Sequence, residues 1–383
     1  MKAIKVVFLV LLSILSLCAV NSRPVSANPR TIVVPDDYSK IGWAIGNATE
    51  GDTIFVKKGI YYEHLQINTS LSLIGENRDT TIIEGDLGGD ILGGYNSPVT
   101  VAHDNVTIAG FTVRNALSTT AVGILLYPQV RYCNISGNRV TRNTYGIVLI
   151  VASDNNIIGN IADSNTAVGI MLSGAPSSQG SSRNNIQGNQ ILSNGAEGIV
   201  LRMSDSNNIT GNNIANSTRE GILLSWANNN AISENNLTNS GVGIGDAGDG
   251  NTFYRNNFAN NTQQVYASWL SEVDGKVVFS VGSWNENYWS DYNGKDNNGD
   301  GIGDTPYIID EKSQDNNPLM APYSPSSTIQ EFPDEENLPI PTSEPFPINW
   351  IVAATAIIAT GGIAITLGVA FYRRKRLTSS KTP

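Results

Sequence analysis

The densest group of potential metal ligands lies near the end of the sequence, in the segment 296–304. Oxygen-bearing side chains stand at positions 1, 3, 5 and 9 of this segment, and Gly301 stands at position 6. This order resembles the beginning of an EF-hand-type calcium loop, in which the glycine permits a sharp turn. Position 12 is Tyr307 in place of the usual glutamate, and Asp310 is the nearest substitute. We predict a weak calcium site, with a turn that binds no ion as the alternative; its ligands would be Asp296, Asn298, Asp300, Ile302 (through its carbonyl) and Asp304.

A second group of charged residues, Arg202, Asp205, Arg219 and Glu220, lies in two neighbouring sequence repeats. An acid/base enzyme that cleaves sugars needs two carboxylates in one cleft. Among the residues that follow the repeated Gly-Ile-x-Leu element, only Arg202 is charged. We therefore name no catalytic residue and treat these four as candidates for carbohydrate binding, with solvated turn charges as the plainer interpretation.

Eight N-x-S/T sequons are candidate glycosylation sites if the chain is secreted. In a chain rich in Asn, Ser and Thr, such sequons also arise by chance. The sequons begin at Asn47, Asn68, Asn105, Asn134, Asn208, Asn216, Asn236 and Asn260.

Two repeated columns predict the elements that position these residues. A Gly-Ile pair recurs at steps of 23, 23, 29, 23 and 22 residues, and an asparagine recurs at steps of 22, 29, 23, 23 and 21 residues. Both columns carry one insertion, which maps to Ala175–Ser182. The glycines are Gly123, Gly146, Gly169, Gly198, Gly221 and Gly243, and the asparagines are Asn138, Asn160, Asn189, Asn212, Asn235 and Asn256.

Apolar and polar residues alternate with period two in each repeat, as they do in strands. A coil of about 23 residues built from short strands is typical of a parallel β-helix. We therefore predict an all-β fold, a right-handed parallel β-helix, with the asparagine amides stacked along its axis. One further column is apolar but should point outward. We predict that a loop or the segment after the repeats covers it, or that it is a docking strip for a partner or ligand. It consists of Leu125, Val148, Met171, Val200 and Leu223.

We expect the solenoid to occupy residues 28–266, followed by a segment 267–320 that contains the predicted calcium loop. Short apolar runs between Thr53 and Ile83 predict irregular first coils. A helix within Tyr38–Asn47 would cover the first coil and protect its open edge.

The two ends of the sequence predict where the chain resides. Residues 1–27 have the layout of a secretory signal peptide, and 321–349 form a proline-rich stalk. The uncharged stretch 350–372 is long enough to cross a bilayer, and the basic tail 373–383 should remain in the cytoplasm. We therefore expect an extracellular domain in type I orientation, anchored in the cell membrane by a single C-terminal span.

The charge of the chain limits its partners. The formal net charge is −10, with 24 basic and 34 acidic residues. Eight of the basic residues lie in the leader and the tail, so 16 remain against 34 acidic residues, a net of −18 outside the cell. Such a surface repels nucleic acid, and we expect no nucleic-acid partner. Only Cys133 remains after removal of the leader, so no disulfide is possible within the mature chain.

Several motifs, taken together, resemble NosD-like proteins over about 31–320. They are Val34-Pro35-Asp36-Asp37-Tyr38, Gly51-Asp52-Thr53-Ile54-Phe55-Val56, Gly59-Ile60-Tyr61-Tyr62-Glu63, Leu73-Ile74-Gly75, Thr81-Ile82-Ile83-Glu84-Gly85, Asn287-Tyr288-Trp289-Ser290-Asp291-Tyr292 and Asp300-Gly301-Ile302-Gly303-Asp304-Thr305-Pro306-Tyr307. The resemblance implies a pectin-lyase-like β-helix, also called a carbohydrate-binding and sugar-hydrolysis domain. The stalk and anchor are similar to those of archaeal surface proteins built on this domain.

The founding members of that family assist copper delivery to nitrous oxide reductase, so the resemblance also raises copper. Copper sites favour His, Met and Cys, and these residues are scattered here without close spacing, which argues against copper. They are His64, His103, Cys133, Met171, Met203 and Met320.

The function favoured by these observations is a non-catalytic surface module that binds carbohydrate or envelope proteins. An extracellular polysaccharide lyase, hydrolase or epimerase is the alternative. A NosD-type copper-maturation factor is the second alternative.

Overall fold

The computed structural model describes residues 28–85, 97–174, 180–267, 270–273, 276–279 and 282–324, with the backbone alone for 270–279. The predicted signal peptide, membrane span, basic tail and nearly all of the stalk lie outside these residues. Within the described ranges, no helix has the length and apolar character needed to cross a bilayer.

Three long sheets, which we call A, B and C, make up the described chain. Sheet A contains Thr31–Val34, Thr53–Val56, Ser72–Gly75, Thr107–Ala109, Asn134–Ser136, Asn156–Ile158, Asn185–Gln187, Asn208–Thr210, Ala231–Ser233, Thr252–Tyr254, Ser283–Asn285, Gln314–Asp315 and Tyr307–Ile308. Sheet B contains Gly59–Tyr61, Thr81–Glu84, Thr112–Arg114, Arg139–Thr141, Ile161–Asp163, Gln190–Leu192, Asn213–Ala215, Asn236–Thr238, Asn257–Ala259 and Tyr288–Trp289. Sheet C contains Leu65–Ile67, Val99–Val101, Val122–Leu126, Tyr145–Ile150, Ile170–Ser173, Ile199–Arg202, Glu220–Ser225, Val242–Ala247 and Gln263–Ala267. A separate antiparallel pair joins Leu270–Val273 to Lys276–Phe279.

The chain visits the sheets in the order A, B, C and then begins the next coil, so a strand pairs in parallel with its equivalent one coil later. The exception is the last strand of sheet A, Tyr307–Ile308, which pairs antiparallel with Gln314–Asp315. This confirms the predicted parallel β-helix. The apolar runs expected to form irregular first coils are strands of all three sheets. Within a coil, the A–B corner is the turn between the strands of sheets A and B, and the B–C corner is the turn between those of B and C. The C–A corner leads from sheet C to the sheet A strand of the next coil.

The core is a set of apolar columns that run along the axis. On sheet A, for example, Ile135, Ile157, Ile186, Ile209 and Ile232 stand in register on successive coils, and all are fully buried. Each side chain therefore packs on its equivalent in the next coil, which is the contact that holds a solenoid together.

The predicted asparagine column is a continuous buried ladder at the A–B corner. Each Nδ2 donates to the Oδ1 of the next coil at 2.9–3.2 Å. Each Nδ2 also donates to a main-chain carbonyl, such as that of Ile186 for Asn212 at 2.8 Å. The ladder extends beyond the predicted members to Asn287, whose Nδ2 donates to Asp315 Oδ2 at 3.0 Å.

The other two corners carry further ladders, which were not predicted from the sequence. The B–C corner has one bonded run of asparagines that ends at Asn194 and a second run from Ser217 through Ser240 to Asn261, and the C–A ladder begins at Cys133. Their members are Asn143, Asn165, Asn194, Ser217, Ser240 and Asn261 at B–C, and Cys133, Asn155, Asn184, Asn207, Asn230 and Asn251 at C–A.

The glycine column marks a position at which the coils lie too close for a side chain. A Cβ placed on Gly146 would lie 2.3 Å from the carbonyl oxygen of Gly169, and one on Gly198 would lie 2.6 Å from that of Gly221. The repeat of glycine at this position therefore follows from the coil spacing.

Both ends of the stack are covered. The helix Ile41–Asn47, which we call the cap helix, buries Ile41, Ala44 and Ile45 against the first coils, as predicted. At the other end the structure continues past the expected limit at residue 266, because Ser283–Asn285 and Tyr288–Trp289 extend sheets A and B in parallel. Trp289 stacks between Phe258 and Tyr307, at centroid distances of 4.4 and 4.2 Å.

Candidate functional site

The outward apolar column of sheet C is largely covered. Leu125, Val148 and Val200 are buried, while Met171 and Leu223 are half-buried. Leu125 and Val148 pack with Val122, and the partly buried Tyr145, Ile150 and Met171 pack against that group. This column therefore does not form an open strip.

Next to that column, one glutamate begins a sheet C strand and another lies two residues before the neighbouring strand. Glu197 and Glu220 immediately precede the column glycines Gly198 and Gly221, and both side chains are only 9% exposed. Arg219 bridges them: its Nη1 lies 2.9 Å from Glu197 Oε1 and its Nε lies 3.7 Å from Glu220 Oε2. We call these residues, with Tyr266, the polar cluster.

Tyr266 reaches the polar cluster from two coils away. Its hydroxyl donates to Glu220 Oε1 at 2.9 Å, and its ring occupies the space above Gly245, where any side chain would collide with it. Burial, followed by the bond to Glu220, raises the pKa of Tyr266 to about 12. The phenol is therefore protonated at neutral pH and is a donor to Glu220, not a base.

The other border of sheet C carries the exposed Arg202 and Trp226 and the half-buried Asp205, which we call the edge patch. Arg202 is exposed, and its guanidinium makes no hydrogen bond or ion pair with the residues that the structure describes. It stands in register with Ser225, the residue before Trp226. The Trp226 side chain is 58% exposed. The Asp205 carboxylate accepts a hydrogen bond from the main-chain N–H of Asn228 at 2.7 Å.

The backbone of Trp226 is left-handed, with φ of 56°. Val151 and Met203, at the same C–A corner in other coils, are also left-handed, so the corner geometry imposes this conformation. A side chain there costs about 1–2 kcal/mol relative to glycine. Trp226 is thus a large, exposed aromatic residue at a corner position that other coils fill with Val151 and Met203.

The four residues nominated from the sequence thus fall into two groups. Arg202 and Asp205 lie at the C–A border, and Arg219 and Glu220 lie at the B–C border. The strand Glu220–Ser225 separates the groups by about 16 Å, at about 3.3 Å per residue. Glu197, Trp226 and Tyr266 complete the groups and were not identified from the sequence. Glu197 could have been found by reading the residue before each column glycine.

The predicted calcium loop is a tight turn in which carboxylates accept backbone hydrogen bonds. Asp296 accepts from Gly299, Asp300 and Gly301 at 2.7–3.2 Å, and Asp300 accepts from Ile302 at 2.8 Å. The Tyr307 ring stacks on Trp289, and the Asp310 carboxylate accepts from Lys312 and Ser313. No three His, Cys, Asp or Glu side chains converge on one point in the described part of the chain. Calcium binding here stays a prediction.

Comparison with known proteins gives a family match and several similar folds. The model of a family described as "Periplasmic copper-binding protein (NosD)" matches residues 45–180 and 177–294. No match to a curated protein was found.

The solved structures with similar folds include an epimerase module, an alginate lyase and a tailspike. The A-module of mannuronan C-5 epimerase AlgE4 from Azotobacter vinelandii is 15% identical, with 64% of this chain and 80% of that chain covered and a TM-score of 0.46. An alginate lyase from Paenibacillus sp. str. FPU-7 is 17% identical, with coverage of 63% and 96% and a TM-score of 0.42. The Dettilon tailspike protein (gp208) is 16% identical, with coverage of 67% and 50% and a TM-score of 0.46. At these values the likenesses carry no information about activity.

The family description names copper, but the described side chains do not fit a copper site. Cys133 is fully buried in the core, where burial raises the pKa of its thiol to about 11. A thiol ligates a metal as the thiolate. His64 and His103 are exposed, and Met171 lies on the outer face of sheet C, away from the interior position of Cys133.

Proposed function

Because the chain belongs to the NosD family, we propose that it is an extracytoplasmic solenoid that binds polysaccharide without cleaving it, through the edge patch of sheet C. The observation that carries this proposal is that the exposed Trp226 directly follows Ser225, the strand partner of the exposed Arg202. The family's periplasmic description supports a position outside the cytoplasm. The predicted C-terminal span 350–372 would anchor the solenoid there.

The chemistry of the edge patch suits a sugar. An indole offers a flat apolar surface with a polar N–H at its rim, which matches the apolar face of a pyranose ring. A guanidinium supplies five donors and a carboxylate supplies acceptors only. Arg202 can therefore donate to sugar hydroxyl groups, and Asp205 can accept from them. The neighbours of Arg202 in the sheet are Ser173 and Ser225, which are small enough to leave its head accessible.

The acidic surface favours a neutral polysaccharide as the ligand. The net charge of −18 outside the cell opposes the approach of polyuronates and other polyanions. Divalent cations held by the predicted calcium loop would weaken that repulsion only locally, since charges are screened over about 8 Å at physiological salt.

The polar cluster supports binding over catalysis. Tyr266 is a protonated donor at neutral pH, and Arg219 lies against both carboxylates. Both carboxylates thus contact Arg219, whereas an acid/base enzyme requires a carboxylate that is free to exchange a proton with its substrate.

Binding is tested with the full-length protein on a panel of neutral and uronate polysaccharides, with and without calcium. We expect retention on at least one neutral polysaccharide. Trp226→Ala and Arg202→Ala should each weaken it about tenfold, since a stacking contact or a charged hydrogen bond is worth about 1–2 kcal/mol.

Two variants serve as matched controls. Trp43→Ala removes an indole that is 55% exposed on the cap helix, and Arg142→Ala removes an exposed arginine at the B–C corner. Both should bind like the native chain. Retention that is equally weakened by all four substitutions, or retention on no polysaccharide, would show that the edge patch is not a sugar site.

One observation favours the enzymatic alternative, a polysaccharide lyase, hydrolase or epimerase. Glu197 and Glu220 stand on successive coils, where carboxylates on a sheet are about 5 Å apart, and retaining glycosidases use a similar separation. The same panel is therefore assayed for new reducing ends, unsaturated products and changed uronate composition. Product that disappears in Glu220→Gln, with Glu234→Gln unaffected, would establish catalysis and replace our proposal.

A further inference from the structure

The eight sequons differ in whether their side chains are available for modification. The ladder asparagines are hydrogen-bonded and, apart from the half-buried Asn261, buried. None of them is followed two residues later by Ser or Thr, so none begins a sequon. Every sequon asparagine is exposed or half-buried. Exposure alone therefore does not distinguish one sequon from another.

At two sequons of the B–C corner, both the asparagine and the hydroxyl residue are accessible. Asn216 and Asn260 are exposed, have left-handed backbones (φ 59° and 57°) and make no side-chain hydrogen bond with any described residue. The hydroxyl residues of these sequons, Thr218 and Thr262, are also exposed and free of side-chain bonds to the described chain.

At two other sequons, hydrogen bonds hold the asparagine side chain. The Nδ2 of Asn208 donates to Asn185 Oδ1 at 3.0 Å, and its own Oδ1 accepts from Thr210 at 3.3 Å. Asn134 is half-buried, and its Nδ2 donates to Ser136 Oγ at 3.2 Å. In both sequons the asparagine is thus bonded to the hydroxyl residue that a transferase must recognise.

We propose that Asn216 and Asn260 carry N-linked oligosaccharides and that Asn134 and Asn208 do not. In this reaction, the amide nitrogen forms a bond to the anomeric carbon of an oligosaccharide held on a lipid phosphate or diphosphate. The bond from that carbon to the phosphate oxygen breaks, the phosphate leaves with the electron pair, and the amide nitrogen loses one proton. No oxidation or reduction occurs.

The position of these sequons is compatible with an open edge patch. Asn216 and Asn260 precede sheet C strands at the B–C corner, whereas Arg202 and Trp226 lie at the C–A end of such strands. Attached sugars would therefore line one border of sheet C and leave the other free. The modification does not depend on polysaccharide binding, and either proposal can fail alone.

The test uses the full-length chain secreted from a host that modifies N-x-S/T sequons, with a co-expressed acceptor to verify that the host does so. Intact glycopeptide mass spectrometry should show glycan on the peptides of Asn216 and Asn260 and none on those of Asn134 and Asn208. Thr218→Ala should remove the modification from Asn216 alone, and Thr218→Ser should retain it. An unmodified Asn216 and Asn260 beside a modified acceptor would overturn the proposal, as would equal occupancy of Asn134 and Asn208.

Discussion

At the scale of single residues, Asp246 is a buried carboxyl group on a strand of sheet C. It stands in register with Leu224 and is 3% exposed, so a carboxyl group occupies a position that is apolar in the preceding coil. Its Oδ1 accepts hydrogen bonds from Asn251 Nδ2 at 2.8 Å and from the N–H of Gly248 at 3.1 Å. Burial outweighs these bonds and raises the pKa of Asp246 to about 6, from 3.8.

This pKa makes the stability of the fold depend on pH. Between pH 3.8 and about 6, the native chain holds a proton that the unfolded chain has released, so the free energy of unfolding falls as pH rises through this interval. At 1.36 kcal/mol per pH unit, ionised Asp246 costs about 3 kcal/mol at neutral pH. Asp246→Asn keeps the Oδ1 acceptor and should raise the free energy of unfolding by up to that amount at pH 7.5, with little change at pH 4.

Urea unfolding of both chains at the two pH values measures this difference. Asp249→Asn, which changes an exposed carboxylate in the same loop, should leave the pH dependence nearly as it is. A gain from Asp246→Asn that is equally large at pH 4 would mean that packing, and not ionisation, is responsible.

At the scale of elements, the three corner ladders fix the coils relative to one another. In the A–B ladder, Asn212 donates to Ile186 O and Asn235 Oδ1, and its Oδ1 accepts from the N–H and Nδ2 of Asn189, all at 2.8–2.9 Å. Asn212→Ala removes these bonds and leaves buried donors and acceptors without partners. Each such group costs about 1–3 kcal/mol.

We therefore expect Asn212→Ala to lower the free energy of unfolding by about 3–5 kcal/mol, measured as a lower urea midpoint. The adjacent Asn213→Ala is the matched control, because Asn213 is exposed and makes no side-chain hydrogen bond with the described chain. Equal effects of the two substitutions would show that the ladder amides add nothing beyond their local turn preference.

One of the three ladders was predicted from the sequence, and composition explains part of the difference. The A–B ladder keeps asparagine in every repeated coil, so it appears as a column. The C–A ladder keeps asparagine from Asn155 to Asn251 and could have been found in the same way. The B–C ladder changes residue type along the axis, with Ser217 and Ser240 in place of asparagine. A serine or cysteine can occupy a ladder position because its backbone N–H still donates to the next coil. Such a position has no constant residue type and is therefore not recognised as a repeated column.

The candidate site was only partly predictable for a similar reason. Arg202, Arg219 and Glu220 are visible as charges in a weakly charged repeat. Tyr266 approaches Glu220 from 46 residues away and does so because Gly245 leaves room for its ring. Such a contact depends on how the coils stack and on the absence of a side chain at Gly245. The residues next to Glu220 in the sequence do not reveal either.

At the scale of the whole molecule, stability is a sum of contacts between neighbouring coils, so the two ends are the weakest points. The C-terminal end of the stack is covered by stacked aromatic rings and by Asp315, which terminates the A–B ladder. The N-terminal end is covered by the short cap helix Ile41–Asn47, and the side chain of its N-cap residue Lys40 makes no capping hydrogen bond. Glu63, from the following coil, supplies that function by accepting from the N–H groups of Ile41 and Gly42, both at 2.9 Å.

Removal of this carboxylate should loosen the cap helix and expose the first coil. Glu63→Ala loses two hydrogen bonds at a helix N-terminus, a change worth about 1–2 kcal/mol, so amides of residues 41–47 should exchange with deuterium about tenfold faster. Because an uncovered edge strand such as Thr31–Val34 can pair with another chain, light scattering should also show increased association. Glu50→Ala, an exposed glutamate just beyond the same helix, should change neither quantity. Unchanged exchange in Glu63→Ala would mean that apolar packing of Ile41 and Ala44 alone holds the cap.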